Sequence, residues 1–150
     1  MMEIFSFLKE PLFLIPVFSA IFAQIIKGII RSFQEKRLAV KTFFEWGGMP
    51  SSHSALTICL STILGFKEGF TSSIFILSTF FAGIVIADAI GVRLATEEQA
   101  KVLNKILQKY PIEEEISLKE SIGHTPIEAF SGAILGFLIG LISYFLGMIK

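Results

Sequence analysis

Two histidines are the residues of this sequence best suited to acid, base or nucleophilic chemistry near neutral pH. His53 lies in the segment GGMPSSHSA (47–55), and His124 lies in the segment GHTPIEAFSG (123–132). Each segment combines a proline with hydroxyl residues, which is typical of the start of a helix. Helix starts offer unpaired N–H groups and partial positive charge, so they bind anions, phosphate above all. The two segments therefore predict a phosphate site that contains both histidines.

Polar and charged residues in two apolar blocks could complete this site. Gln24, Lys27 and Arg31 share one helix face, and Asp88 and Arg93 lie in the segment ADAIGVR (87–93). We assign Lys27, Arg31 and Arg93 to phosphate binding and Asp88 to a supporting role. Alternatively, Lys27 and Arg31 extend to the membrane surface, and Asp88 bonds a neighbouring helix or pairs with Lys27 or Arg93.

Glu128 has two interpretations. It heads a row of residues spaced by four, in which Gly132, Gly136 and Gly140 predict a helix-packing face, and on this basis it points into the bundle. It also completes a capping box with Thr125, in which case its carboxylate only caps its own helix. Gly83, Ala87 and Gly91 form a second row of small residues, which predicts that another helix packs closely there.

The apolar residues are gathered into blocks, and this pattern is typical of a membrane protein. The chain has 150 residues, is 53% hydrophobic and has a mean hydropathy of +0.70. We predict an all-α integral membrane helical bundle of about four transmembrane helices, plus a cytoplasmic amphipathic helix, in a single domain (1–150). The four predicted spans are 11–30, 54–66, 73–92 and 127–149. The second block is short, and it spans only if its polar ends are included or its neighbours shelter it.

The amphipathic helix is predicted to begin at a capping box, Thr96-Glu97-Glu98-Gln99, and to end at Pro111. Its apolar residues recur at helical spacing opposite a row of lysines and a glutamine, as in a helix that lies on a membrane surface.

The distribution of basic residues predicts the topology. If all four blocks span, ten of the 13 Lys and Arg residues lie on the side of loops 31–53 and 93–124. The positive-inside rule makes that side cytoplasmic. We therefore expect a multi-pass cell-membrane protein with both termini outside and the site facing the cytoplasm. The early Glu3 and the lone Lys9 argue against a cleaved signal peptide.

The motifs GGMPSSHSA, DAIGVR and GHTPIEAFSG, in this order, resemble the divergent branch of the type 2 phosphatidic acid phosphatase superfamily. Its members are often labelled acid phosphatase or vanadium-dependent haloperoxidase-related, and the resemblance covers nearly the whole chain. In the catalytic superfamily a Pro-Ser-Gly-His motif supplies a phosphate-binding serine and a general-acid histidine. A later His-x-x-x-Asp motif supplies the nucleophile and its orienting carboxylate.

The resemblance assigns a role to each matching position. Residues 50–53 resemble the first motif with Ser52 in place of glycine, and His124-x-x-x-Glu128 resembles the second with Glu for Asp. It implies that His124 attacks phosphorus, Glu128 orients it, and His53 protonates the leaving oxygen. Ser51, Ser52 and the backbone near them would hold the phosphate, and Gly48 would let backbone approach the anion.

Two departures from the superfamily concern the residues that grip phosphate. Leu118 follows Ser117 where the superfamily has an arginine, and the upstream Lys-x-x-x-x-x-x-Arg-Pro motif is missing. Two functions consequently stay open. The first is a membrane phosphatase that hydrolyses a phosphate monoester or diphosphate, lipid-linked, through a phosphohistidine. The second is a non-catalytic scaffold or lipid-phosphate-binding protein that keeps the fold.

A metal site or small transporter is the third hypothesis, since His53, Asp88, His124 and Glu128 are metal-ligand types. We expect neither a metal nor a cofactor, because the phosphatase chemistry requires none. The expected partners are membrane lipid and a phosphate-bearing lipid substrate, and no nucleic acid; oligomerisation stays open. The net charge of zero indicates no particular partner, and the single Cys59 indicates no compartment.

Overall fold

The computed structural model describes residues 3–36, 48–110, 116–120 and 122–149. All regular structure in these residues is helical, which confirms the predicted all-α class. A short 3₁₀ helix precedes five α-helices, and Gly47 and Pro111 lie outside the described residues. The elements are the 3₁₀ helix Glu3–Lys9, α1 Pro11–Glu35, α2 Ser52–Glu68, α3 Ser73–Ile90, α4 Val92–Lys109 and α5 Pro126–Phe145.

Hydroxyl side chains begin three of the helices, because each accepts a hydrogen bond from a free backbone N–H of the first turn. Ser51 caps α2, Ser72 caps α3 and Thr125 caps α5. The predicted capping box of Thr125 and Glu128 is present in both directions, and Pro126 occupies the first position of α5.

Helix α2 lies at the centre of the bundle, between α1, α3 and α5. Its residues Ser54, Ala55, Cys59 and Ile63 are fully buried. With 17 residues it is about 26 Å long at ~1.5 Å per residue, slightly shorter than the ~30 Å hydrocarbon core. Because α2 lies between α1, α3 and α5, these neighbours shelter it. Such shelter is the condition under which the short second block is expected to span.

The predicted glycine row of α5 is the contact surface for α2. A Cβ placed on Gly132 would lie 2.2 Å from the Ser51 carbonyl oxygen, and one on Gly136 would lie 2.2 Å from that of Ala55. A Cβ on Gly140 would lie 3.0 Å from Thr62 Cβ. Only glycine permits this approach of the two backbones, so the row is confirmed as a packing face.

The second row of small residues behaves differently, and the predicted close packing on it is wrong. Among the described residues, a Cβ on Gly83 would meet nothing within 4 Å, and one on Gly91 would meet only the Ala87 carbonyl of its own helix. This face of α3 points outward, because α2 packs against the other side of the helix, where the buried Ser78 donates to Ser61.

The start of α4 also differs from the prediction. The helix begins at Val92, directly after Gly91, and Thr96 lies inside it with its hydroxyl donating to the Val92 carbonyl. The capping box predicted at Thr96 is therefore wrong, because the chain passes from α3 into α4 with no loop to cap. The apolar side chains of Leu103, Ile106 and Tyr110 are exposed, as a helix on a membrane surface requires.

Within the part of the chain that the structure describes, three stretches are long and apolar enough to cross a membrane: Pro11–Glu35, Ser73–Lys109 and Pro126–Phe145. Large apolar side chains on them face outward, with Phe80 68%, Ile84 67% and Phe130 67% exposed. Such a surface is stable in contact with lipid and not with water. The molecule is thus a helical bundle of a membrane protein.

Candidate functional site

The structure brings the two histidines together, with their ring centroids 6.4 Å apart. Both rings line one small space, together with Val85, Ala89, Arg93 and Ile122. This histidine cavity has a volume of about 10 Å³, which is about the minimum that a single water needs.

The packing of α5 on α2 explains the convergence of the histidines. His53 lies in the first turn of α2, and the Ser51 N–H just before it donates to the Glu128 carbonyl at 3.0 Å. Because Gly132 also sits against the Ser51 backbone, the N-terminus of α2 is fixed to the first turn of α5. His124 lies two residues before α5, so both helix starts present a histidine at the same place.

His124 is held in one tautomer by the backbone. Its Nδ1 lies 2.8 Å from the Gly123 carbonyl oxygen. A carbonyl oxygen only accepts hydrogen bonds, so Nδ1 carries the proton and Nε2 keeps its lone pair. Nε2 is buried without a hydrogen-bond partner among the described residues, and the side chain is 2% exposed. A buried, unprotonated ring nitrogen of this kind can act as a nucleophile.

Burial lowers the pKa of His124 below its ordinary value, because the charged ring loses hydration. The bond to the Gly123 carbonyl opposes this shift, and so does the charge of Glu128. The positive charges of Lys27 and Arg93 lower the pKa further. The net direction is downward, so the ring is neutral at pH 7.

The carboxylate of Glu128 caps its own helix in the structure. It accepts from the Thr125 N–H at 2.8 Å, while the Glu128 N–H donates to the Thr125 hydroxyl at 3.3 Å. His124 Nδ1 hydrogen-bonds to the Gly123 carbonyl oxygen, and not to the Glu128 carboxylate as the resemblance implies. From the third position of α5 the carboxylate reaches back to the backbone N–H of the N-cap residue Thr125, which it satisfies.

Lys27 is 2% exposed, which excludes the alternative that its side chain extends to the membrane surface. Its aliphatic chain lies against Gly48, where an added Cβ would be 3.4 Å from Lys27 Cδ. Gly48 has a φ of +98°, a conformation that favours glycine, so the backbone can lie close to the lysine there. The structure thereby joins Gly48 and Lys27 in one wall of the site.

A second, larger cavity of about 500 Å³ opens beside the histidines, a volume typical of small-molecule sites. Gly123 lines this larger cavity and His124 lines the histidine cavity, so these two consecutive residues form the boundary between the two spaces. The larger cavity is lined by Lys27, Ile30, Arg31, Gln34, Gly48, Met49, Leu94, Glu97, Gly123, Thr125, Ile127 and Glu128.

The remaining predicted site residues lie around these two cavities. Arg93 lines the histidine cavity and forms an ion pair with Asp88, one of the pairings that the sequence left open. Arg31 lines the larger cavity and forms an ion pair with Glu35 at 3.7 Å. Ser51 and Ser52 are buried at the start of α2, where Ser51 Oγ accepts from the Ser54 N–H at 3.4 Å.

Glu97 is a site residue that the sequence did not reveal. Its Oε2 accepts from the N–H groups of Ile122 at 3.2 Å and Gly123 at 3.0 Å. Lys101 Nζ donates to the other oxygen at 2.6 Å. The spacing of 26 positions between Glu97 and Gly123 carries no local signal, because only the fold brings them together.

Within the described ranges, no group of three or more His, Cys, Asp or Glu side chains could hold a metal ion.

Comparison with known proteins identifies the family of this sequence. The profile of the Divergent PAP2 family matches residues 8–139. The chain is 40% identical over 140 residues to a protein called uncharacterized membrane protein YuiD from Bacillus subtilis (strain 168), with 83% of this chain and 89% of the relative covered. No solved structure matches the chain. Given the extent of these matches, the protein belongs to the Divergent PAP2 family.

Proposed function

We propose that this protein is an integral-membrane phosphatase that hydrolyses a phosphate monoester or diphosphate, lipid-linked, through a phosphohistidine on His124. One observation carries the proposal: the lone pair of His124 Nε2 is buried and unprotonated, and the ring of His53 lies 6.4 Å away between centroids. A nucleophile beside a second group that can transfer a proton is the arrangement that covalent hydrolysis requires.

The reaction has two steps. First, His124 Nε2 attacks phosphorus, the N–P bond forms, and the P–O bond to the leaving group breaks as protonated His53 gives its proton to the leaving oxygen. Then His53, now neutral, takes a proton from a water whose oxygen attacks the phosphohistidine. The N–P bond breaks, phosphate leaves, and both histidines return to their starting forms.

The charge that develops on the phosphoryl oxygens needs positive partners. Arg93 lines the histidine cavity, and the buried Lys27 is close enough for its charge to lower the pKa of His124. The positive end of the helix dipole at the start of α2 adds to these charges. We assign to these groups the role that an arginine at the position of Leu118 has in the superfamily. Leu118 itself is bound through its backbone to Asn104 of α4.

The larger cavity supports a substrate with a polar head and an apolar remainder. Lys27 and Arg31 are the cations of its lining, whereas Ile30, Met49 and Ile127 are apolar. The protein lies in a membrane, where amphiphilic substrates are concentrated. We therefore assign the phosphate-bearing substrate to the lipid class, with its head entering towards the boundary formed by Gly123 and His124.

Phosphate binding requires the histidine cavity to widen, because a phosphoryl group is larger than the single water that about 10 Å³ holds. Among the residues that line it, Arg93 has a side chain that is 37% exposed and paired with Asp88. A rotation of this side chain from Asp88 towards an arriving phosphate would open the space and supply a cation in one movement.

The test is phosphate release by the purified full-length protein from a panel of phosphorylated lipids in detergent. We expect turnover by the wild type, a loss of about 10⁴-fold or more in His124→Ala, and a loss of about 10²- to 10⁴-fold in His53→Ala. Acid-labile phosphate should be trapped on the wild type and not on His124→Ala. A His124→Ala protein that retained the wild-type rate would disprove the nucleophile assignment.

A non-catalytic lipid-phosphate-binding protein is the second candidate, favoured by Leu118 in the place of the superfamily arginine and by the tight histidine cavity. It predicts binding without turnover. Titration with inorganic phosphate and with a short-chain phosphatidic acid measures binding, and phosphate release by the same protein separates the two candidates. Lys27→Met should weaken binding in both cases, whereas the matched control Lys36→Met, an exposed position just after α1, should not.

A further inference from the structure

We propose that Glu97 is a positioning residue for His124, which holds the backbone of Ile122 and Gly123 and so fixes the carbonyl that sets the tautomer of His124. The proposal rests on the proposed function, since it assigns a purpose to the unprotonated Nε2. It adds a second member of the site's machinery to α4, a helix whose apolar face is exposed and which already carries Arg93.

Three consecutive N–H groups ahead of α5 are bound by α3 and α4. The N–H groups of Ile122 and Gly123 donate to Glu97 Oε2, and the His124 N–H donates to the Ala89 carbonyl at 3.0 Å. Glu97 has a side chain that is only 15% exposed, so water competes little for its oxygens. Charge-assisted bonds of this kind are stronger than bonds between neutral groups.

Gly123 needs such a restraint because of its own packing. A Cβ at this position would lie 2.5 Å from Leu94 Cα and 2.7 Å from Leu94 N, so only glycine fits against α4. Glycine, however, restricts its backbone dihedral angles less than any other residue. The peptide that carries the Gly123 carbonyl is held at its own N–H, that of His124, by the Ala89 carbonyl, and Glu97 holds the two N–H groups before it. The orientation of the Gly123 carbonyl therefore depends on the dihedral angles of Gly123, which Glu97 restrains through the Gly123 N–H.

The consequence for the chemistry follows from the bond between Gly123 and His124. Its carbonyl accepts from His124 Nδ1 at 2.8 Å, which leaves Nε2 unprotonated. If the peptide between the two residues rotates, Nδ1 loses its acceptor, and the neutral ring can carry its proton on Nε2 instead. In that tautomer Nε2 has no lone pair with which to attack phosphorus.

Further contacts show that α4 acts as a template for the segment before His124. Lys101 Nζ donates to Glu97 Oε1 and holds the carboxylate in place. One turn farther, the Asn104 amide accepts from the Leu118 N–H at 2.9 Å and donates to the Leu118 carbonyl at 2.8 Å. The segment is thus bound to α4 at two points, of which Glu97 is the one next to the histidine.

The test uses the full-length protein with ¹⁵N-labelled histidine in detergent micelles. The chain has only two histidines, so His53→Asn assigns the signals. In the wild type we expect the nitrogen shifts of His124 to show a protonated Nδ1 and an unprotonated Nε2. In Glu97→Ala we expect a mixture of both tautomers. The matched control is Glu98→Ala, which removes an exposed glutamate from the next position of the same helix and should match the wild type.

Two further measurements separate positioning from a general loss of structure. Glu97→Gln keeps one acceptor oxygen without the charge and should give an intermediate tautomer mixture, and it also serves as the deciding variant if Glu97→Ala does not fold. On an active lipid phosphate, kcat should fall about 10- to 100-fold in Glu97→Ala, as for a reacting group misplaced by ~1 Å, with KM much less changed.

The outcomes distinguish this inference from the proposed function. If no substrate turns over but the tautomer of His124 still responds to Glu97, the positioning role holds and the phosphatase assignment fails. If the protein hydrolyses lipid phosphates while Glu97→Ala and Glu97→Gln leave the His124 signals as they are in Glu98→Ala, the positioning role is overturned.

Discussion

At the residue scale, the chemistry of His124 is decided by backbone groups rather than by a carboxylate. The Gly123 carbonyl takes the position at Nδ1 that a side chain has in many nucleophile triads, and Glu128 acts on the ring only through its charge. A carbonyl can fix the tautomer as well as a carboxylate does. It carries no full negative charge, however, so it stabilises a protonated ring less strongly, and burial keeps the pKa of His124 low.

The first prediction concerns pH. The ring of His124 has a lowered pKa, chiefly because of burial, and the charged groups that act on it are Lys27, Glu128 and Arg93. The neutral ring is the reactive form, so turnover should be unaffected by this group above its ordinary pKa of about 6.5 and should decline as the pH falls through the lower folded value. A ¹⁵N titration of His124 checks the shift, and a pKa at or above the ordinary value would contradict it.

The same shift has a consequence for stability. Between the folded pKa of His124 and the ordinary value of about 6.5, the unfolded chain binds more protons than the folded one. The free energy of unfolding should therefore decrease as the pH falls through this window. In His124→Ala this part of the pH dependence should disappear, which thermal unfolding at several pH values would show.

At the element scale, the site depends on how closely α5 lies against α2. The two glycines Gly132 and Gly136 bring the α5 backbone onto Ser51 and Ala55, and the bond from the Ser51 N–H to the Glu128 carbonyl fixes the axial position. If this contact were one residue out of register, the first turns of the two helices would separate, and His53 would no longer lie beside His124.

The second prediction tests this contact. Gly136→Ala places a Cβ 2.2 Å from the Ala55 carbonyl oxygen, so the helices must move apart. We expect the free energy of unfolding to fall by about 1–3 kcal/mol. Gly83→Ala is the matched control, because its Cβ meets none of the described residues within 4 Å. The control should be neutral or more stable by up to ~1 kcal/mol through helix propensity. Unfolding by SDS in mixed micelles measures both, and equal effects would refute the assignment of the contact.

Helix α4 has two roles at this scale. Its exposed apolar residues Leu103, Ile106 and Tyr110 suit the membrane surface, and its polar residues Glu97 and Asn104 bind the segment that leads to His124. A surface helix therefore takes part in building a site that lies between the ends of other helices.

At the scale of the whole molecule, the topology determines which side of the membrane reaches the site. The turn at Lys67 connects α2 and α3 at one end of the bundle, whereas the histidines lie at the first turns of α2 and α5. If α2 and α3 both span, these two regions are on opposite sides. The bias of basic residues then predicts that the site faces the cytoplasm.

The third prediction tests this arrangement with a membrane-impermeant thiol reagent. Cys59 is fully buried at the centre of the bundle, so the native protein should not react, and Cys59→Ala provides a background free of thiols. On this background, Lys67→Cys should react in intact cells, and Lys105→Cys should react only after permeabilisation. Both positions are exposed, so the reverse pattern would invert the topology.

The sequence by itself determined the features that depend on neighbouring residues. The apolar blocks, the serine and threonine caps and the glycine row of α5 each act within one or two helical turns, and they predicted the all-α membrane bundle, the capping box at Thr125 and the packing face. The motifs around His53 and His124 predicted that the two histidines lie together, because each stands at a helix start, and their ring centroids are 6.4 Å apart.

Only the tertiary structure decided the choices between alternatives that the same residues allow. Glu128 fits both a triad with His124 and a capping box with Thr125, and the structure selects the second, with the Gly123 carbonyl on His124 Nδ1. The clamp of Glu97 on Gly123 spans 26 positions, and Gly83 faces outward because α2 occupies the other side of α3. These outcomes depend on which elements meet and on which backbone groups the packing leaves free, and no local pattern encodes them.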